Sequence, residues 1–334
     1  GSSRRSPEAA APSSTSTRPT ISRMWRHVTK ISSLSRGEVE RVLNLALEMK
    51  RSPSSFGATL AQQSLLMLFE KPSLRTRVSL EVGMTQLGGH GIAYMLGDSP
   101  LGTKETYEDT GEVLTRMAQG VTARVKSRAQ IRGLARASRI PVVNALDDFA
   151  HPMQMLADLL TICERKCAGD VSKLRDVTLA FVGDVQNNVT YDLARSGAVM
   201  GFEVRVGGPL QEYPMEAEVL RECAVLGKLP VVCSTAEEAV DGADVVYTDS
   251  WMSYGTSEAD KAKRLATFLP FQVTDDLMAL AKPDAAFMNC LPAMRGEEQT
   301  AAVIDGPQSI VFDQAENRLH AQKALLALLM NRQL

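Results

Sequence analysis

Ser64-Leu-Leu-Met-Leu-Phe-Glu-Lys-Pro-Ser-Leu-Arg-Thr-Arg77 decides how this chain is read. Its first six residues form a short, nearly unbroken apolar run, the pattern of a strand buried on both faces of a parallel sheet. Pro72 ends the run, Ser73 stands where a helix begins, and a helical pattern follows. A strand that feeds a helix in this way is half of a βαβ unit.

The same alternation extends outward in both directions. Toward the N-terminus, Val39, Val42, Leu43, Ala46 and Leu47 lie at helical spacing between Ser35 and Met49, with Ser35 as N-cap. Toward the C-terminus, Gly88 to Gly91 breaks the pattern and Ile92–Met95 reads as a strand. Strand-like segments at Gly120–Val125 and Ile140–Asn144 follow, then a helix from His151 to Arg165. After Ala168-Gly169-Asp170 a second series begins. Strands are expected at Val177–Val182, Phe202–Val206, Val231–Cys233, Val245–Thr248, Ala286–Met288 and Ile310–Phe312. Helices are expected at Val189–Met200, Pro214–Leu226, Ala236–Val240 and Pro270–Leu280, with a last one at Ala315–Met330. Repeated βα units predict the α/β class, with two doubly wound parallel-sheet domains. The ligand cleft then lies at the carboxyl ends of the strands.

Composition narrows the function classes. The chain has 334 residues, 44% hydrophobic and 23% charged, which suits two ordinary globular domains. With 37 Lys+Arg against 39 Asp+Glu the net charge is −2, and no basic stripe invites nucleic acid. No apolar run is long enough to span a membrane. Five cysteines, Cys163, Cys167, Cys223, Cys233 and Cys290, are odd in number and mostly lie in apolar stretches, as reduced thiols would. Cys163 and Cys167 lack further ligands nearby, so no metal is expected. Of the histidines outside the motifs, His27 and His90 read as loop residues and His320 as structural.

Residues 1–26 are set apart as a tail. Gly1-Ser2-Ser3 reads as an expression-tag scar, followed by a Ser/Thr/Pro/Ala-rich stretch with Arg4, Arg5, Arg18 and Arg23 against Glu8 alone. Two readings stand, the remnant of an organellar transit peptide and a low-complexity tail.

Two segments carry chemistry. At Ser73-Leu-Arg-Thr-Arg77, free N–H groups at a helix start combine with hydroxyls and two guanidinium forks into an anion site. The bland alternative is a capped helix with solvated arginines. No Walker or dinucleotide glycine motif is present, and Gly183-Asp-Val-Gln-Asn-Asn188 lacks the glycines of a dinucleotide loop, so no cofactor is expected. At His151-Pro-Met-Gln-Met-Leu-Ala-Asp158, Pro152 fixes the helix start and brings His151 and Gln154 near one another. Their donors and acceptors suit a carbonyl and an amide, whereas a lone histidine at a cap is more often structural.

Taken in order and at these separations, S-x-R-T-R, H-P-x-Q-x-L-A-D, D-x-x-N-N, D-x-W-x-S-x-G, C-L-P and A-E-N-R resemble the ornithine carbamoyltransferases from about residue 27 to 330. The resemblance implies a carbamoyl-phosphate-binding domain at 27–165, joined by the C-terminal helix 315–334 packing back on it, and an amino-acid-binding domain at 170–312. It implies that Ser73, Leu74, Arg75 and Thr76 form the phosphate loop, Leu74 acting through its backbone N–H. Arg124 would bridge phosphate and carbamoyl oxygen, His151 and Gln154 would hold the carbamoyl group, and Arg318 would close the site. Asn188, Asp249 and Ser253 match the ornithine-binding residues, with Tyr254 beside them, and Cys290 and Leu291 match the C-L-P loop. Arg124, His151, Asp249 and Cys290 would be the catalytic set.

The activity implied is transfer of the carbamoyl group of carbamoyl phosphate to L-ornithine, giving L-citrulline and phosphate in arginine biosynthesis or the urea cycle. A homotrimer, or a larger assembly of trimers, is implied as well. With the tail, the expected location is the mitochondrial matrix or a plastid, with the cytoplasm as alternative. The sequence departs from the family at Asn289, where His is usual, and at Tyr254, where Met is usual; no Gln stands near Pro100. The acceptor alternatives are therefore another amine such as putrescine, or a carbamoyltransferase-like protein without activity. The aspartate branch fits less well, because Cys290-Leu-Pro-Ala293 stands where P-L-P-R would be.

Overall fold

The computed structural model describes residues 27–97, 101–102, 104–252 and 257–331. Ser253, Tyr254, the tail 1–26 and Asp98 to Pro100 lie outside the described residues. The first half contains α1 (Arg36–Arg51), β1 (Ser64–Phe69), α2 (Leu74–Gln86), β2 (His90–Met95), α3 (Tyr107–Leu114), β3 (Gly120–Arg124), α4 (Arg128–Ala137), β4 (Val142–Leu146) and α5 (Pro152–Lys166). The second contains β5 (Thr178–Val182), α6 (Asn188–Met200), β6 (Glu203–Gly207), α7 (Ala217–Leu226), β7 (Val231–Cys233), α8 (Ala236–Val240) and β8 (Val245–Tyr247). It continues with α9 (Glu258–Phe268), α10 (Asp275–Met278), β9 (Ala286–Met288), α11 (Ala301–Ile304) and α12 (Val311–Met330).

The strands form two sheets, ordered β2-β1-β3-β4 and β7-β6-β5-β8-β9, with every named pair parallel. Alternation along the central strands shows that both faces are covered. Leu65, Met67 and Phe69 of β1 enter one core and Leu68 another; Leu179 and Phe181 of β5 enter one core and Ala180 and Val182 another. One apolar cluster runs through both halves, joining residues of β1, α1, α5, β5, α6 and α12. The C-terminal helix α12 packs on α1, α2 and α5, returning the chain to the first sheet's layer.

Four details differ from the sequence reading. Ile310–Phe312 is no strand: the Ile310 N–H bonds the Phe287 carbonyl once, and Val311 then opens α12, earlier than Ala315 and inside the 170–312 boundary. Pro270–Leu280 is not one helix, because Val273 bridges to Gln299 and Thr274 caps the short α10. His90 starts β2 instead of lying in a loop. His27 is tied to the first sheet, accepting the Val142 N–H on Nδ1 at 3.2 Å beside the Val28–Val143 bridge.

Candidate active site

The carboxyl ends of both sheets face one cleft of about 620 Å³. On the first-domain wall, Ser73 ends the loop after β1 and caps α2, its Oγ accepting from the Thr76 N–H at 3.4 Å. The first turn of α2 thereby points its backbone N–H groups into the cleft, an arrangement that favours anions. Arg75 on this turn, Arg124 at the end of β3 and Arg318 on α12 all line the same space. Arg318 is buried, donating to Gln154 Oε1 at 2.7 Å and Thr76 Oγ1 at 3.1 Å. Burial, then the charge of Arg124, pulls Arg318 down to about 10, which leaves it a cation at neutral pH. Three converging guanidinium groups that repel one another make a site that an incoming phosphate dianion would relieve.

His151 precedes Pro152 at the start of α5 and is 4% exposed. Its backbone N–H is held by Asp192 Oδ2 at 2.8 Å, and its Nδ1 is buried with no protein partner. Burial, followed by Arg318, Arg124 and Arg75, pushes the imidazole well below the ordinary histidine range. A neutral ring reaching the cleft can therefore donate one hydrogen bond to a substrate oxygen without carrying charge.

The opposite wall comes from the second sheet. Asp249 follows β8 and Cys290 follows β9, and the Cys290 thiol donates to Asp249 Oδ1 at 3.2 Å. Burial pushes the Asp249 carboxyl up to about 6, and burial together with the Asp249 charge drives the Cys290 thiol well upward. A sulfur held as thiol is a poor nucleophile, which leaves the Asp249 carboxylate as the acceptor this pair presents to the cleft. The Arg75 Nη2 group donates to the Leu291 carbonyl at 2.6 Å, joining the two walls. Asn188, the first residue of α6, also lines the cleft, but its amide donates to the Asp147 carbonyl at 2.6 Å across the domain junction.

Asn289, where the resemblance predicts His, is fully buried. It donates to Gln299 Oε1 at 3.0 Å and accepts the Leu291 N–H at 2.8 Å, so the substituted side chain holds the Cys290–Leu291 loop. Arg264 on α9 ties Trp251 to the β5–α6 turn, bonding the Trp251 carbonyl at 2.7 Å and the Asp184 carboxylate. Gly183 is required beside it: its φ is +122°, and a Cβ there would meet Trp251 Nε1 at 2.8 Å.

The structure thus gathers Ser73, Leu74, Arg75, Thr76, Arg124, His151, Gln154, Asn188, Asp249, Cys290, Leu291 and Arg318 around one cavity. Ser253 and Tyr254 fall outside the described residues. Sequence reasoning missed Lys71, Asp147, Asp184 and Gln186 on the walls. Asp184 belonged to the D-x-x-N-N motif and could have been found there; Lys71 and Asp147 carry no local signal. Among the described residues, no group of three or more His, Cys, Asp or Glu is placed to hold a metal. None of their helices is long and apolar enough to cross a membrane.

Residues 26–164 match the family model described as aspartate/ornithine carbamoyltransferase, carbamoyl-P binding domain, and residues 175–329 match its Asp/Orn binding domain. The chain belongs to the aspartate/ornithine carbamoyltransferase family. Among carbamoyltransferases it is 45% identical over 304 residues to the ornithine carbamoyltransferase of Bifidobacterium longum (strain NCC 2705), covering 90% of this chain and 94% of that protein. It is 44% identical to the catabolic ornithine carbamoyltransferase of Halobacterium salinarum, covering 91% and 99%. The solved ornithine carbamoyltransferase of Pyrococcus furiosus superposes with a TM-score of 0.86 at 40% identity, covering 92% of this chain and 98% of that one. As a member of this family the chain is a transferase.

Proposed function

We propose that this enzyme transfers the carbamoyl group of carbamoyl phosphate to the side-chain amine of L-ornithine, giving L-citrulline and phosphate. The observation that carries the reading is the convergence of Arg75, Arg124 and Arg318 with the α2 N-terminus, opposite the Asp249–Cys290 pair. Phosphate binds to the arginines and to the N–H groups of residues 73–76, and the carbamoyl oxygen receives the neutral His151 donor. Gln154 offers its amide oxygen to the carbamoyl –NH2. Residues 27–165 with α12 form the carbamoyl phosphate half, and 170–310 the acceptor half.

The ornithine side-chain nitrogen attacks the carbamoyl carbon as a free amine while the carbon–oxygen bond to phosphate breaks. The departing phosphate takes the electron pair of the broken bond and accepts the nitrogen's proton as the new carbon–nitrogen bond forms. Asp249 and Cys290 orient the acceptor beside that carbon. No residue need form a covalent intermediate, so positioning and electrostatics supply the rate.

The polar set around the acceptor favours an amino acid over a diamine. Asp249 pairs with an ammonium, and the Asn188 –NH2, exchanging the Asp147 carbonyl, offers a donor to a carboxylate that a diamine lacks. The edge strand β2 exposes Ile92, Tyr94 and Met95, apolar side chains at an open sheet edge that suit a contact between copies in a trimer. The curated relatives named above come from a bacterium and an archaeon, which favours the cytoplasmic alternative over matrix or plastid.

Phosphate release from carbamoyl phosphate, measured with ornithine, putrescine, lysine and aspartate in turn, tests the reading. Ornithine should give the highest kcat/KM. A higher value with putrescine would overturn the acceptor assignment, and no release with any amine would overturn carbamoyl transfer itself.

A further inference from the structure

Asp158 takes no part in the chemistry above, yet it is the hub of a buried hydrogen-bond network at the junction of the two domains. It lies on α5 one turn beyond Gln154 and is 1% exposed. Its Oδ1 accepts from Gln154 Nε2 and from Gln314 Nε2, both at 2.8 Å, and its Oδ2 accepts from the Tyr247 hydroxyl at 3.1 Å. Tyr247 ends β8 in the second domain, while Gln314 sits on α12. Gln314 also donates to the Tyr247 oxygen at 2.9 Å and accepts the Asn289 N–H at 3.1 Å.

The consequence for the cleft follows from donor and acceptor counting. An ionised carboxylate can only accept, so Gln154 must turn its –NH2 toward Asp158. Its amide oxygen is then forced toward Arg318 and the cleft, with a second lone pair free for the –NH2 of a carbamoyl group. Turned over, Gln154 would aim a donor at the Arg318 donor and lose both matches. Burial raises the Asp158 carboxyl to about 6, and the three side-chain donors act against that rise, so the acceptor form prevails at neutral pH.

We propose that Asp158 is a positioning residue for the carbamoyl phosphate half: held across the domain junction by Tyr247 and Gln314, it fixes the orientation of the Gln154 amide and, through it, the seat of Arg318. The same network reaches Asn289, the residue before Cys290, so the side chains that grip the carbamoyl group and the loop that faces the acceptor share one hydrogen-bonded frame. The inference rests on the carbamoyl-transfer reading and assigns a role to a residue which that reading leaves idle.

Steady-state kinetics on Asp158→Asn and Tyr247→Phe, with melting temperatures measured alongside, provide the test. Asn at 158 offers one acceptor oxygen in place of two and loses the charge, so it holds the Gln154 –NH2 less strongly and Gln154 is less firmly fixed in orientation. We expect kcat/KM for carbamoyl phosphate to fall about 30- to 100-fold in Asp158→Asn and about 5-fold in Tyr247→Phe, with the KM for ornithine changed less than threefold. Should Asp158→Asn not fold, the split between the two substrates in Tyr247→Phe decides alone. Lower melting temperatures with unchanged kinetic constants per folded molecule would overturn the positioning role while leaving carbamoyl transfer intact. A wild-type enzyme that releases no phosphate with any acceptor would overturn both.

Discussion

On the first-domain wall of the cleft, Thr76, Gln154 and Arg318 are nearly sealed from solvent and hydrogen-bonded to one another, each rooted in a helix. On the second-domain wall, Asp249 and Cys290 are only partly covered and stand on loops after three-residue strands. On the proposed function, the contrast follows from what each wall would bind. Phosphate offers fixed charge and geometry, and a preorganised set of donors holds it with little reorganisation. An amino acid with a flexible side chain must be surrounded, which needs a wall able to close. Asn188 and Arg75 show this state: each now bonds a backbone carbonyl across the junction, at Asp147 and Leu291, and each would exchange that bond for substrate.

The largest effect expected from this contrast belongs to the preorganised wall. Arg75→Ala or Arg124→Ala removes a charge-assisted bond to phosphate, a loss on the order of 3–4 kcal/mol, or about 10² to 10³ in kcat/KM for carbamoyl phosphate. Melting temperatures should stay near wild type. Unimpaired turnover in either variant would break the assignment of this wall to phosphate.

A smaller and more selective effect is expected across the cleft. Asp249 must be ionised to hold an ammonium group, and its carboxyl is raised to about 6. Acidification through that value removes the acceptor, so kcat/KM counted per ornithine molecule with its side-chain amine unprotonated should fall as pH drops below about 6, approaching tenfold per pH unit. Asp249→Asn should lower kcat/KM for ornithine about 10²-fold and remove that acid limb, with the KM for carbamoyl phosphate little changed. An acid limb that persists in Asp249→Asn would assign it to another group.

The smallest effect is expected at Asn188. Because its amide already bridges to the Asp147 carbonyl, Asn188→Ala loses a junction contact and a substrate contact together. A rise of about tenfold in the KM for ornithine, with kcat within threefold, would fit that double role. A loss confined to kcat would place Asn188 at the reacting atoms instead.

The two walls also differ in how far the sequence revealed them. The β1–α2 turn was legible because its causes are local: six residues of strand, a proline that breaks it, and a serine that caps the helix. His151 and Arg318 entered through motifs, but their burial, and the repulsion of Arg318 by Arg124 and Arg75 that favours an anion, arise only when α12 folds back against α5 and α2. Ile310–Phe312 misled because a β-like apolar triplet gives no sign that a single backbone bond to Phe287 will be followed by a helix turn. The role of Asp158 was hidden for a similar reason. Its position one turn after Gln154 is visible in the sequence, whereas Tyr247 and Gln314 reach it from 89 and 156 residues away.

The account's central claim is that a preformed phosphate wall and a closing acceptor wall act on one ligand pair. Thermal protection by a bisubstrate mimic, a phosphonate joined to ornithine, compared with phosphate alone at matched concentration, tests this most directly. Binding to the folded state stabilises it by RT ln(1 + [L]/Kd), so a mimic that engages both walls should raise the melting temperature well above the shift that phosphate produces. In Asp249→Asn most of that extra shift should vanish. Equal shifts for the two ligands in the wild-type enzyme would contradict the account, because the second wall would then contribute nothing to binding.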